Sequence, residues 1–145
     1  MVHVIRTFEV QVNPSVAIEY LKDFGHAEQW DPGTVSCTRI GADSDPVQVG
    51  SRWHNVSKLI AIKTELEYEL VELEPQRVVF VGTNKTATSK DDIRVEPSTT
   101  GATITYEATV TFNGLAKLSE PVMNLIFLKL AKDTVRDLTK TLETL

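Results

Sequence analysis

The chain has 145 residues, 41% of them hydrophobic and 24% charged, with a formal net charge of −5. That length predicts one domain over residues 1–145 with a core that needs no staples, and the single cysteine, Cys37, excludes an internal disulfide or a cysteine-based metal cluster. The acidic balance argues against non-specific binding to nucleic acid or anionic lipid, although a local basic patch stays compatible with it.

In chain order, Val2 to Val12 alternates, with Val4, Phe8, Val10 and Val12 on one side and Thr7, Glu9 and Gln11 on the other. This predicts a half-buried strand. Asn13-Pro14 ends it and opens a helix, asparagine capping free N–H groups and proline fitting the first turn. Ala17, Tyr20, Leu21 and Phe24 form its stripe, with Gly25 as the expected stop. His26 to Trp30 reads as a second short helix, closed by a turn at Asp31-Pro32-Gly33. Val35 to Ile40 is a short strand and 41–50 a polar loop. Ser51 to Leu73 reads as two strands with a turn near Lys58 that no glycine marks. Ile60, Ile62, Thr64, Leu66, Tyr68 and Leu70 face one way there, and Lys63, Glu65, Glu67 and Glu69 the other. Glu74-Pro75 ends the segment, Val78 to Val81 is a buried strand, and Gly82 to Lys85 a turn. Thr86 to Glu96 directs Ile93 and Val95 inward and Lys90, Asp92, Arg94 and Glu96 outward. Ala102 to Phe112 alternates without interruption. Beyond Asn113-Gly114 the apolar period changes from two to three or four. Met123, Phe127, Leu130, Thr134, Leu138 and Leu142 form one helical stripe, which Leu118, Val122 and Ile126 widen. Pro121 predicts a kink, or a fresh start capped by Ser119.

Strands joined by short turns predict an antiparallel meander, and a sheet with one apolar face needs a cover, here the C-terminal helix. The fold class is therefore α+β: a curved sheet of about seven strands, two short helices after the first strand, and a long C-terminal helix across it.

The inward positions hold the candidate chemistry. Ser89 and Asp91 share the parity of Ile93 and Val95. A buried carboxylate must be paired, solvated or protonated. Arg6, sharing the parity of Phe8, is one candidate partner and a wet cavity is another. Tyr68 and Tyr106 also face inward, and a buried phenol needs a partner in the protein or in a ligand. Asp91, Tyr106 and Tyr68 are the only candidates for proton transfer. Trp53 and Asn55 are assigned inward. Met123, Ile126 and Phe127 would roof any space beneath the helix. Together with Thr64, Leu66 and Ser89 they complete the expected ligand cavity. Trp30 reads as a packing anchor, Asp31 as a turn residue and Cys37 as a small strand residue. His3, His26 and His54 lack metal-site spacing, and there is no HExxH, phosphate-cradling loop or serine elbow. No metal or cofactor is expected. No apolar run reaches the roughly 20 residues of a membrane span, and the N-terminus lacks signal-peptide features, so a cytoplasmic protein is expected.

Phe8-Glu9-Val10 with Asn13-Pro14, Leu21-Lys22-Asp23-Phe24, Trp30-Asp31-Pro32-Gly33, Val49-Gly50-Ser51-Arg52-Trp53, Leu73-Glu74-Pro75 and the stretch 101–114 occur in that order. As a set they resemble the helix-grip superfamily of START-like (SRPBCC) proteins, within it the polyketide cyclase/dehydrase and lipid-transport branch. The resemblance spans nearly the whole chain. It implies an apolar cavity between sheet and helix, and a small hydrophobic or amphipathic ligand such as a lipid, isoprenoid or polyketide-like aromatic. Binding is the leading reading. A cyclase or dehydratase using the cavity Asp and Tyr residues is the alternative, and a chaperone-regulating or ribosome-associated interaction module is a third. Ligand pockets measure about 300 Å³ or more. At about 24 cal/mol per Å³ an empty one would cost about 7 kcal/mol, so a large cavity should be filled, wet or partly collapsed. Oligomeric state is not legible.

Overall fold

A computed structural model describes residues 1–145. Seven strands form one antiparallel sheet in the order β1-β7-β6-β5-β4-β3-β2. They are β1 (Val2–Val10), β2 (Thr34–Ile40), β3 (Arg52–Leu59), β4 (Ile62–Glu74), β5 (Arg77–Thr83), β6 (Ala87–Pro97) and β7 (Ala102–Phe112). Between β1 and β2 lie α1 (Pro14–Leu21), a 3-10 turn (Phe24–His26) and α2 (Ala27–Trp30). After β7 comes a 3-10 segment (Gly114–Ser119) and then α3 (Glu120–Glu143). This is the expected α+β layering.

Asn13 caps α1 as predicted, its Oδ1 accepting from the Ser15 N–H at 2.9 Å. Gly25 is not the stop: α1 ends at Leu21, and Asp23 caps the next turn by accepting from the Gly25 N–H at 2.9 Å. The turn assigned near Lys58 lies at Ile60-Ala61 instead. With no glycine or asparagine available, exposed Ile60 takes the left-handed conformation, φ 60°, which β-branched residues rarely adopt. Gly82 belongs to β5, and the following turn is built by Asn84, whose Oδ1 accepts from the Thr86 and Ala87 N–H groups. Val71 is an extra residue in β4 opposite β5, since Leu70 faces Phe80 and Glu72 faces Val79. Such a bulge reverses parity, which brings Leu73 onto the core side with Leu70.

The main core holds 21 buried residues, including Trp30, Trp53, Phe24, Phe80, Ile104, Leu138 and Leu142. A separate group of four, Val2, Ala87, Val110 and Phe112, lies toward the sheet end where β7 runs out, with Ala116, Met123 and Phe127 packed on it. Asp92 points to the outer face as expected but is not solvated. The Arg77 guanidinium grips it in two hydrogen bonds of 3.0 and 2.8 Å. Burial alone would raise its pKa, but the Arg77 contact overrides this and holds the carboxyl below its usual range.

α3 starts afresh at Glu120 with Pro121 in its first turn. Ser119 occupies the cap position, but its hydroxyl donates to the Ala116 carbonyl at 2.6 Å and makes no cap bond. Thr134, Leu138 and Leu142 are buried, joined by Ala131. Leu118 and Val122 are exposed rather than part of the inward arc, and Ile126 sits half-buried on its flank.

Candidate functional site

Between the inner sheet face and the first half of α3 is a partly open cavity of about 130 Å³. Alternation places its floor. Ser89 and Asp91 from β6, Tyr68 from β4 and Tyr106 from β7 all point inward and are buried. Met123, Phe127, Leu130, Ala131 and Thr134 of α3 form the roof. Val4, Leu66, Ala108 and Val110 supply apolar wall, and Thr64, Asn84 and Thr86 stand toward the opening.

The Tyr106 hydroxyl donates to Asp91 Oδ1 at 2.6 Å. Arg6, a partner considered from parity, is elsewhere: its guanidinium donates to the Ile5 carbonyl. Without a cation, burial pushes the Asp91 pKa up to about 7, against the lowering effect of the Tyr106 bond, with the Asp31 charge adding to the rise. Burial also drives Tyr68 and Tyr106 well above the usual phenol value, with the Asp91 charge as the next contribution. Both phenols therefore stay protonated and act as donors. Tyr68 can lie across β5 because its cross-strand partner is glycine; a Cβ at Gly82 would stand 2.7 Å from the ring.

Asp31 is the second carboxylate on the cavity. It is a turn residue as expected, accepting from the Gly33 N–H at 3.1 Å and the Thr34 hydroxyl at 2.9 Å, and burial raises its pKa. Its place at the cavity was not anticipated; no sequence signal separates it from an ordinary turn aspartate. Val110, Phe112, Ala131 and Thr134 were likewise not singled out as lining, although the strand and helix periods put them on the right faces.

Of the residues expected to line a cavity, Thr64, Leu66, Tyr68, Ser89, Asp91, Tyr106, Met123 and Phe127 do meet around this one. Trp53, Asn55 and Ile126 do not. Trp53 is fully buried in the main core, its indole N–H donating to Asp23 Oδ1 at 3.1 Å. Asn55 is tied to Thr34 and Ser57. Both face inward, but lie away from the space under α3. Trp30 packs edge-on against Tyr106, ring centroids 6.0 Å apart, and its buried indole N–H has no hydrogen-bond partner. His3 pairs with Glu107, His26 Nδ1 meets the Tyr20 carbonyl, and His54 lies beside Glu65. No three His, Cys, Asp or Glu side chains converge as metal ligands would. No Lys, Arg or His lines the cavity, so any charge it carries is negative and comes from two carboxyls.

Residues 1–143 match the family described as polyketide cyclase/dehydrase and lipid transport. No curated protein matches the sequence. Among solved structures, a START superfamily protein from Mycobacterium smegmatis superposes with a TM-score of 0.78 at 12% identity, over 98% of this chain and 97% of that one. Major latex-like protein 151 from Panax ginseng gives 0.71 at 13%, over 97% and 96%. The di-domain ARO/CYC BexL of the BE-7585A biosynthetic pathway gives 0.68 at 15%, over 97% of this chain and 50% of that one. At these identities the likeness establishes a shared fold.

Proposed function

The chain belongs to the polyketide cyclase/dehydrase and lipid transport family, and from that premise we propose that it binds a small amphipathic molecule in the cavity beneath α3. The supporting observation is the contrast between apolar walls and a floor of one carboxyl, two phenols and a hydroxyl. A ligand with an apolar body and an uncharged polar end, a phenol, alcohol or carbonyl, satisfies both. An anionic end such as a fatty-acid carboxylate would meet Asp31 and Asp91 with no cation to offset them, an unfavourable burial of like charge. The cavity of about 130 Å³ costs on the order of 3 kcal/mol if left empty, an amount a ligand can recover. It accommodates one aromatic ring with a short arm. A longer ligand would displace Met123 and Phe127, and methionine adapts readily to such repacking. We place this binding in the cytoplasm, where an unpaired cysteine stays reduced.

The test is native mass spectrometry of the purified protein, with titration calorimetry against 2-phenylethanol and phenylacetate. A retained apolar ligand, or saturable binding of the alcohol but not the carboxylate, supports the proposal. Absence of both retained ligand and saturable binding overturns it.

One observation favours a second reading, catalysis. Asp91, with a pKa pushed up to about 7 and a phenol at 2.6 Å, can exchange a proton near neutral pH, as a general acid–base group must. A dehydration or cyclisation would place its reacting carbon over that pair. Turnover of a polyketide-type substrate that survives both Asp91→Asn and Tyr106→Phe would remove this assignment.

A further inference from the structure

α3 is built in two unlike halves. From residue 131 onward it is amphipathic, with Ala131, Thr134, Leu138 and Leu142 buried and charges outside. The stretch 118–130, which joins the end of the 3-10 segment to the first half of α3, is apolar on two sides. Met123, Phe127 and Leu130 face the cavity, while Leu118, Val122 and Leu125 point away from it and are 81%, 61% and 69% exposed. A helix segment apolar on both sides belongs in a second apolar environment. It has company. Leu115, on the same 3-10 segment as Leu118, is 86% exposed, and Ile60 and Ile62, on the β3–β4 hairpin tip, are 78% and 58% exposed.

The sheet register puts these elements at one end of the molecule. β7 ends at Phe112 opposite Ala87, where β6 starts. The β5–β6 turn and the β3–β4 turn close the same end, and the 3-10 segment leaves from it. Leu59 and Thr64 beside the β3–β4 turn, Asn84 and Thr86 in the β5–β6 turn, and Phe112 and Met123 on either side of the 3-10 segment line the cavity, so this end carries its mouth.

The charge there is opposite to that of the whole. Segments 58–63, 83–88 and 113–129 contain Lys58, Lys63, Lys85, Lys117 and Lys129, all exposed, and one carboxylate, Glu120. Glu120 is itself neutralised by the Met1 amino group at 2.7 Å. The rest of the chain holds the other 19 of 20 acidic residues. Of the acidic residues near the mouth, Asp31 turns inward to Gly33 and Thr34, and Glu65 lies exposed on the outer face of the sheet, beside His54.

We propose that this end is a docking surface for an anionic lipid bilayer, with the exposed leucines and isoleucines entering the interface and the lysine ring meeting the headgroups. The lysine ring decides between occupants. A second copy would bring lysines against lysines, whereas acidic headgroups complement them, and apolar residues backed by Lys are how interfacial segments bind. Docking turns the cavity mouth toward the bilayer. The proposal stands whether the cavity carries a ligand or performs chemistry.

The test is co-sedimentation of the full chain with vesicles of phosphatidylcholine alone and with added phosphatidylglycerol. Binding is expected only with the anionic lipid, declining as salt rises. Lys117→Ala should weaken partitioning about fivefold, the equivalent of about 1 kcal/mol per lysine near such a surface. Leu118→Asp and Leu125→Asp should abolish it, with thermal unfolding unchanged because both side chains are exposed. Failure to bind, equal binding to neutral vesicles, or binding that these substitutions leave intact overturns the proposal. So does a concentration-dependent dimer in sedimentation velocity that Leu118→Asp dissociates.

Discussion

Replacing Asp91 by asparagine removes a buried carboxyl whose ionisation opposes the fold. Burial pushes Asp91 from 3.8 to about 7, and each unit corresponds to about 1.4 kcal/mol. Ionising it inside the protein therefore costs about 4 kcal/mol relative to the unfolded chain. The native state keeps a proton that the unfolded state has released, so stability falls as pH rises between the two values. The penalty is absent below the unfolded value of 3.8 and complete above about 7. Asparagine is close in size, its amide oxygen can still accept from the Tyr106 hydroxyl, and it has no proton to lose. The variant should match the parent within about 1 kcal/mol at about pH 4 and exceed it by about 2–4 kcal/mol at about pH 8. With a slope of about 1–3 kcal/mol per molar urea, the midpoint should rise by about 1–2 M at the higher pH. Trp30 and Trp53 are both buried, so tryptophan fluorescence reports the transition, and other titrating groups cancel in the difference. A gap between the two proteins that stays constant from acid to alkaline pH would refute the assignment of a strained, protonatable Asp91.

Tyr106→Phe deletes the donor at 2.6 Å from Asp91 and should destabilise by about 1–3 kcal/mol, more above neutral pH than below, measured by the same urea titration. Gly82→Ala puts a Cβ 2.7 Å from the Tyr68 ring and should cost about 1–3 kcal/mol by overpacking, seen as a lowered melting temperature that Tyr68→Leu partly restores. Arg77→Ala leaves Asp92 buried on the outer face with Arg94 as its remaining cation at 3.9 Å. The expected loss is about 1–3 kcal/mol, present above the unfolded carboxyl value and fading as acid protonates Asp92, because its folded pKa is depressed. Cys37, pushed up to about 12 by burial, should resist iodoacetamide at neutral pH until urea unfolds the chain.

Period alone located β7 to the residue, since Ala102–Phe112 alternates without a break and nothing in it competes with extended structure. Asn13-Pro14 and the α3 stripe were equally legible, because capping and helical spacing are local properties. The β3–β4 turn was not: the usual glycine or asparagine is missing, and Ile60 absorbs the positive φ. Nor was the bulge at Val71, which depends on β5. Within the cavity, alternation put Tyr68, Ser89, Asp91 and Tyr106 on one face, but a face is not a neighbourhood. It offered Arg6 to Asp91, whereas the fold delivers Tyr106 from β7. It grouped Trp53 and Asn55 with the cavity, whereas Trp53 sits in the main core and Asn55 is tied to Thr34 and Ser57. Exposure of Leu118 and Val122 was hidden because an apolar residue carries no mark of which apolar medium it meets.

The two separate apolar clusters mean that this fold has a seam. Leu138 and Leu142 moor the distal part of α3 in the larger cluster, while the proximal part rests on only the smaller one, across the void. Local opening free energies follow contact density, so amides in 120–130 should exchange with deuterium well before those in 131–143. If exchange follows that order, the pocket's size is set by how far the weakly moored half-helix swings while its other half stays fastened.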